Sequence, residues 1–115
     1  MTIGNSKDKN LELDLSSYHQ LFLEEAYSYL ALLRRNLSKL RDAADDKRAQ
    51  REARRAAHTL KGMAATMHYE ELAALGKRME KQLEEEGRLT PGQIEELLAG
   101  CRQYDNGLKQ LAGGA

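Results

Sequence analysis

The sequence predicts an all-α protein, an antiparallel up-and-down four-helix bundle. Apolar residues recur at three- and four-residue steps in four separate stretches, which is the helical period. Only one proline and one phenylalanine occur in 115 residues, a composition that favours helices over sheet. The stretches are joined by short polar segments, and four helices with one apolar stripe each pack most simply as a bundle. A helical hairpin that closes by dimerising is the alternative, but the chain carries enough stripes to close alone. The isolated domain is therefore expected to be a monomer.

The first helix is expected from about Leu15 to Leu40, with Phe22, Ala26, Tyr29, Leu33 and Leu37 on its inner side. Asp14 or Ser16 is the candidate cap of its first turn. Residues 1–13 are polar and lack the apolar centre of a secretory signal, so they read as a disordered leader. Asp42, Asp45 and Asp46 mark a turn and a fresh helix N-terminus. The second helix follows over about Lys47–Met67, with Ala49, Ala53, Ala56, Leu60, Met63, Ala64 and Met67 inward. So many alanines permit close approach by its neighbours.

His68-Tyr69-Glu70 reads as a corner into a third helix, which ends near Glu85 and turns Leu72, Leu75, Gly76, Met79 and Leu83 to one side. Gly87 breaks that pattern. Thr90-Pro91-Gly92-Gln93 is the clearest helix start in the chain: Thr90 to cap, Pro91 at the first position, Gln93 as capping-box partner. The fourth helix carries Ile94, Leu97, Leu98, Cys101, Tyr104, Leu108 and Leu111 inward. Residues 14–112 thus form one helical domain, and 113–115 a flexible tail.

Composition narrows function. Eighteen basic and 18 acidic residues cancel, unlike the positive excess of a general nucleic-acid binder. Cys101 is the single cysteine, so neither an internal disulfide nor a cysteine-based metal site is available. The spacing of His19, His58 and His68 does not suit a metal, and no bound cofactor is expected. No stretch approaches the roughly 20 apolar residues that span a bilayer. A cytoplasmic protein is expected.

The second helix holds the feature of interest. At about 100° per residue, His58 falls directly opposite the Ala49 side, with Gly62 and Ala65 within about 40° of it and Lys61 within about 60°. An imidazole therefore faces solvent in mid-helix, with small residues one and two turns on. A glycine inside a helix costs roughly 1 kcal/mol relative to alanine. On an exposed face, close approach by a partner or a phosphoryl group explains it better than internal packing does. The plainer alternative is an ordinary surface histidine beside a tolerated glycine.

Lys61 can approach the same surface as a point charge for an anion, or serve only solubility. Glu80 lies about 80° from Leu72 on the third helix, at the edge of its apolar side. Folded about the corner, it can reach one ring nitrogen of His58, fix the tautomer and leave the other nitrogen nucleophilic. An interhelical salt bridge or a rim charge is the alternative. Lys47, Arg48, Arg51, Arg54 and Arg55 precede the histidine; they complement an acidic partner surface or form a solvated helix face.

The run Arg55-Ala56-Ala57-His58-Thr59-Leu60-Lys61-Gly62-Met63-Ala64-Ala65-Thr66-Met67 resembles the phosphoacceptor motif of histidine phosphotransfer (HPt) domains. It is most similar to the N-terminal domain of chemotaxis-type histidine kinases of the CheA kind. The resemblance extends through Tyr69, Leu72, Leu75 and Met79-Glu80, and back to Phe22-Leu23-Glu24-Glu25-Ala26, covering roughly residues 15 to 111.

It implies that His58 is phosphorylated, with ATP as donor through a separate kinase catalytic domain, and that the recipient is an aspartate of a response-regulator receiver. It further implies that Lys61 supports the phosphoryl group, that Glu80 hydrogen-bonds the other ring nitrogen, and that Gly62 keeps the site open. Two positions depart from the family pattern. His68-Tyr69 stands where a glycine and an aromatic are usual. Lys77 replaces the usual second histidine and cannot supply its neutral donor–acceptor role; added positive charge near a phosphohistidine is what it offers.

The chain itself lacks a nucleotide-binding signature, so ATP and Mg²⁺ are expected to act through the partner domains. Attack needs an unprotonated ring nitrogen, so acid is expected to slow uptake. Two other functions compete: a noncatalytic helical adaptor using the same surface, and a phosphatase of phosphorylated receivers that needs no phosphohistidine.

Overall fold

The computed structural model describes the backbone of residues 3–84 and 87–113, and side-chain surroundings from residue 17 onward within those spans. Four helices follow in order: α1 (Ile3–Asp42), α2 (Lys47–Thr66), α3 (Glu70–Leu83) and α4 (Pro91–Gly113). Sequence neighbours pack against each other, and α4 returns to close against α1. The result is the expected antiparallel four-helix bundle, with α1 diagonal to α3 and α2 diagonal to α4.

The first helix starts earlier than expected. It runs from Ile3 through Asp14 and Ser16, so neither residue occupies a cap position. From Asn5 to Leu40 the sequence contains no proline or glycine, and nothing local stops the helix. Its buried side carries Phe22, Leu23, Ala26, Leu30, Leu33, Leu37 and Leu40. Leu23 and Leu30 thus join the expected set, while Tyr29 lies at the edge against the core. The side chain of Leu15 lies outside the described residues, as do residues 1–2 of the expected leader and residues 114–115 of the tail.

Three of the later termini have a local cause. The Asp46 carboxylate accepts from the Ala49 amide at 3.0 Å and opens α2. At its other end, Tyr69 N–H donates to Ala64 O at 2.9 Å and His68 N–H to Ala65 O at 3.0 Å. That pair of bonds is the Schellman pattern, and it needs a left-handed residue after the cap. His68 supplies it, with φ of 61°. The expected third helix stops at Leu83, and Glu85 lies outside the described residues. Before α4 the capping box forms as read: Gln93 N–H donates to Thr90 Oγ1 at 3.1 Å, and Thr90 N–H to Gln93 Oε1 at 2.8 Å.

The core lies between the four inner stripes. Ala49, Ala53, Ala56, Ala57, Leu60 and Ala64 of α2 are buried, whereas Met63 and Met67 are only partly buried and sit at the rim. Leu98 and Leu111 of α4 are rim residues too, and Leu89 of the connection before α4 is buried. Tyr104 is fully buried and donates its hydroxyl to Leu60 O at 2.9 Å. That bond crosses from α4 to α2, two helices whose backbones do not pack directly. It satisfies the one polar atom that so large a core residue brings inside.

Candidate functional site

The site lies on the solvent side of α2, where α3 comes alongside. A Cβ placed on Gly76 of α3 would stand 2.9 Å from both Cα and N of Lys61. Only a glycine lets the two backbones come this close. The approach falls one turn before Glu80 on α3 and one turn after His58 on α2, and so sets the height at which those side chains meet.

Glu80 joins the other two. His58 Nδ1 lies 2.7 Å from Glu80 Oε2, and Lys61 Nζ lies 2.7 Å from Glu80 Oε1. The carboxylate is mostly covered, with 13% of its side chain exposed, whereas the imidazole is 63% exposed. Burial opposes ionisation of Glu80, but hydrogen bonds from Lys61 and His58, together with their charges, outweigh it and hold the carboxyl below its ordinary range. An ionised carboxylate only accepts hydrogen bonds, so Nδ1 must carry the proton that it donates to Glu80. Nε2 is left with an open lone pair in the neutral tautomer, on a ring that is mostly exposed.

The other expected site residues divide in two. A Cβ on Gly62 would meet nothing within 4 Å, so the surface beside His58 is open and no packing inside the domain requires the glycine. Lys77 is exposed and takes no hydrogen bond or ion pair among the described residues. It stands one turn before Glu80 but does not join the three linked side chains.

Lys47, Arg48, Arg51, Arg54 and Arg55 are all exposed along α2. Arg55 reaches Glu52 at 3.7 Å, and the other four have no ion-pair partner among the described residues. Lys47, Arg51 and Arg54 line a shallow groove against Leu83 and Glu84. On a helical wheel these three lie within about 40° of His58.

Sequence reasoning missed Gly76 as a part of the site. It was legible only as one member of an apolar stripe, although a glycine facing a neighbour is itself a sign of close backbone approach. A second cluster also went unread: His19 Nδ1 lies 2.8 Å from the Tyr69 hydroxyl, and Phe22 packs edge-on against that ring at 5.1 Å. It ties α1 to the corner after α2. Among the described residues no three His, Cys, Asp or Glu side chains gather as a metal site.

Comparison with known proteins bears on the family and the fold. The Hpt domain family matches residues 17–113. The chemotaxis protein CheA of Listeria monocytogenes is 42% identical over 65 residues, which are 56% of this chain and 10% of that protein. That of Bacillus subtilis is 36% identical over 72 residues, 63% of this chain and 11% of the relative. The chain thus spans about a tenth of the length of these curated relatives. Among solved structures, the CheA phosphotransferase domain from Thermotoga maritima superposes with a TM-score of 0.80 at 30% identity, covering 84% of this chain and 96% of that one. The bundle and the family match together make this chain a member of the Hpt domain family, similar to the phosphotransferase domain of CheA and with that family's general role in phosphorelay.

Proposed function

We propose that this domain is a phosphoryl carrier in two-component signalling, working in the cytoplasm with a chemotaxis-type kinase. His58 takes a phosphoryl group from ATP bound to a separate kinase catalytic domain and gives it to an aspartate of a response-regulator receiver. One observation carries the reading: an exposed imidazole whose Nδ1 is held by a covered, ionised carboxylate at 2.7 Å. That bond leaves Nε2 as the nucleophile and aims it at solvent, where another protein's active site can reach it. No helix among the described residues is long and apolar enough to cross a membrane, which fits work among soluble partners.

In the uptake step the Nε2 lone pair attacks the γ-phosphorus of ATP. An N–P bond forms, the bond from phosphorus to the β,γ-bridging oxygen breaks, and ADP leaves with that electron pair. The ring keeps its Nδ1 proton and so gains positive charge, which the Glu80 carboxylate stabilises. In the second step an aspartate oxygen of the receiver attacks phosphorus. The N–P bond breaks, its electrons return to Nε2, and the ring is neutral again. Lys61, held beside His58 by Glu80, supplies a point charge for the phosphoryl oxygens. Gly62 gives clearance, and Lys77 adds positive charge where a second histidine is usual. ATP and Mg²⁺ enter on the partner domains.

The test supplies the matching kinase domain and Mg-ATP. Acid-labile, base-stable label is expected on His58, transferable to the receiver, and none in His58→Gln. Full labelling of His58→Gln would overturn the proposal. Binding without uptake would leave an adaptor, and receiver dephosphorylation that survives loss of His58 would leave a phosphatase.

A further inference from the structure

We infer that Gly76 is a positioning residue for phosphoryl transfer: its lack of a side chain sets the spacing of α2 and α3 that lets Glu80 hold the His58 ring. The inference rests on His58 being the phosphoacceptor. It starts from a cost, because glycine is the poorest helix former after proline and Gly76 sits inside α3. Alanine there would strengthen the isolated helix, so the reason for glycine lies in what it faces.

It faces backbone. The added Cβ would meet Cα and N of Lys61 at 2.9 Å and Cβ of Lys61 at 3.1 Å. No rotamer change moves a main-chain nitrogen, so relief requires that the helices separate or slide. Gly100 and Gly107 of α4 contrast with this. A Cβ on Gly100 would meet Met79 Sδ and one on Gly107 would meet Leu72 Cδ2, both outer atoms of side chains that can turn away.

The separation would be felt at Glu80, one turn along the same helix. Both of its oxygens are in use, each at 2.7 Å. A carboxylate drawn away from α2 cannot keep both contacts at that length. Loss of the Oε2 contact frees Nδ1, and an exposed imidazole then exchanges between its two neutral tautomers. A protein partner would meet Nε2 protonated in part of the molecules and would find less nucleophile. Gly76 touches no reacting atom; it acts through Glu80.

The experiment compares wild type, Gly76→Ala and Gly107→Ala by ¹⁵N NMR of the imidazole and by uptake kinetics with the kinase domain. In Gly76→Ala the Nδ1–H signature of His58 should give way to mixed tautomers, and maximal uptake should fall on the order of ten- to a hundredfold with KM little changed. Gly107→Ala should leave the ring signature as in wild type. A folded Gly76→Ala with wild-type ring signals and uptake would overturn the inference, as would the same loss in Gly107→Ala. If Gly76→Ala does not fold, Glu80→Asp decides, because it shortens the carboxylate's reach without touching the Gly76 contact. Retained tautomer and uptake in Glu80→Asp would show that spacing is not limiting. Failure of wild type to take phosphate on His58 would instead sink the phosphoacceptor reading, and the ring signals would still report on Gly76.

Discussion

Glu80 answers two donors at once, and its ionisation depends on both. Its carboxyl is held below its ordinary value of 4.5: burial works against the charge, and the Lys61 and His58 hydrogen bonds overcome it. A carboxyl depressed on folding contributes stability that is fully present above its unfolded value and fades as pH falls through the lower folded one. Glu80→Gln should therefore cost about 1 kcal/mol near neutral pH, since its donors are partly solvated. The difference from wild type should shrink in acid below pH 4.5. Urea unfolding at neutral pH and at about pH 3 checks both statements. The wheel alone opposed His58 to the core and put Glu80 on an edge that could reach it. The close approach at Gly76 had one sign, a glycine on the inner stripe of α3, but its extent was not legible, because it depends on how far apart two helix axes lie.

Helix beginnings marked by capping residues were more readable than the one without a mark. Thr90, Pro91 and Gln93 fixed the start of α4, since each residue has one favoured place in a first turn. For α2 the start was expected after Asp42, Asp45 and Asp46, and of these Asp46 is the cap. The first helix has no comparable stop signal upstream, and the structure continues it to Ile3. Met63 and Met67 point near the core direction on the wheel yet lie at the rim, partly buried against the core.

The corner after α2 carries a predictable strain. His68 takes φ of 61°, a region that costs an L-residue roughly 1–2 kcal/mol. His68→Gly should stabilise the domain by about 0.5–1 kcal/mol after the greater freedom of an unfolded glycine is counted. Thermal unfolding checks it; an unchanged or lower midpoint would mean that the imidazole has a compensating contact.

At the scale of the whole molecule, a net charge of zero conceals an uneven distribution. Lys47, Arg51 and Arg54 follow His58's side of α2 without ion-pair partners among the described residues. If this face steers an acidic partner, Arg51→Glu combined with Arg54→Glu should lower kcat/KM for phosphoryl exchange by about tenfold at low ionic strength. The deficit should close as salt screens the face, with unfolding unaffected. Kinase and receiver are assayed separately, and a loss that ignores salt would rule steering out. The four-helix plan was legible throughout, because each stripe repeats at one period. The Tyr104 bond across the diagonal was not, since no local pattern says which carbonyl a buried hydroxyl will find.

The imidazole is mostly open to solvent, with the space over Gly62 unfilled. If His58 is the carrier, one protein could depart and another take its place without displacing anything over Gly62. A phosphate carried at such a point would be exchanged at the pace of collisions and surface fit, and the same openness would leave the waiting phosphoramidate bare to water between visits.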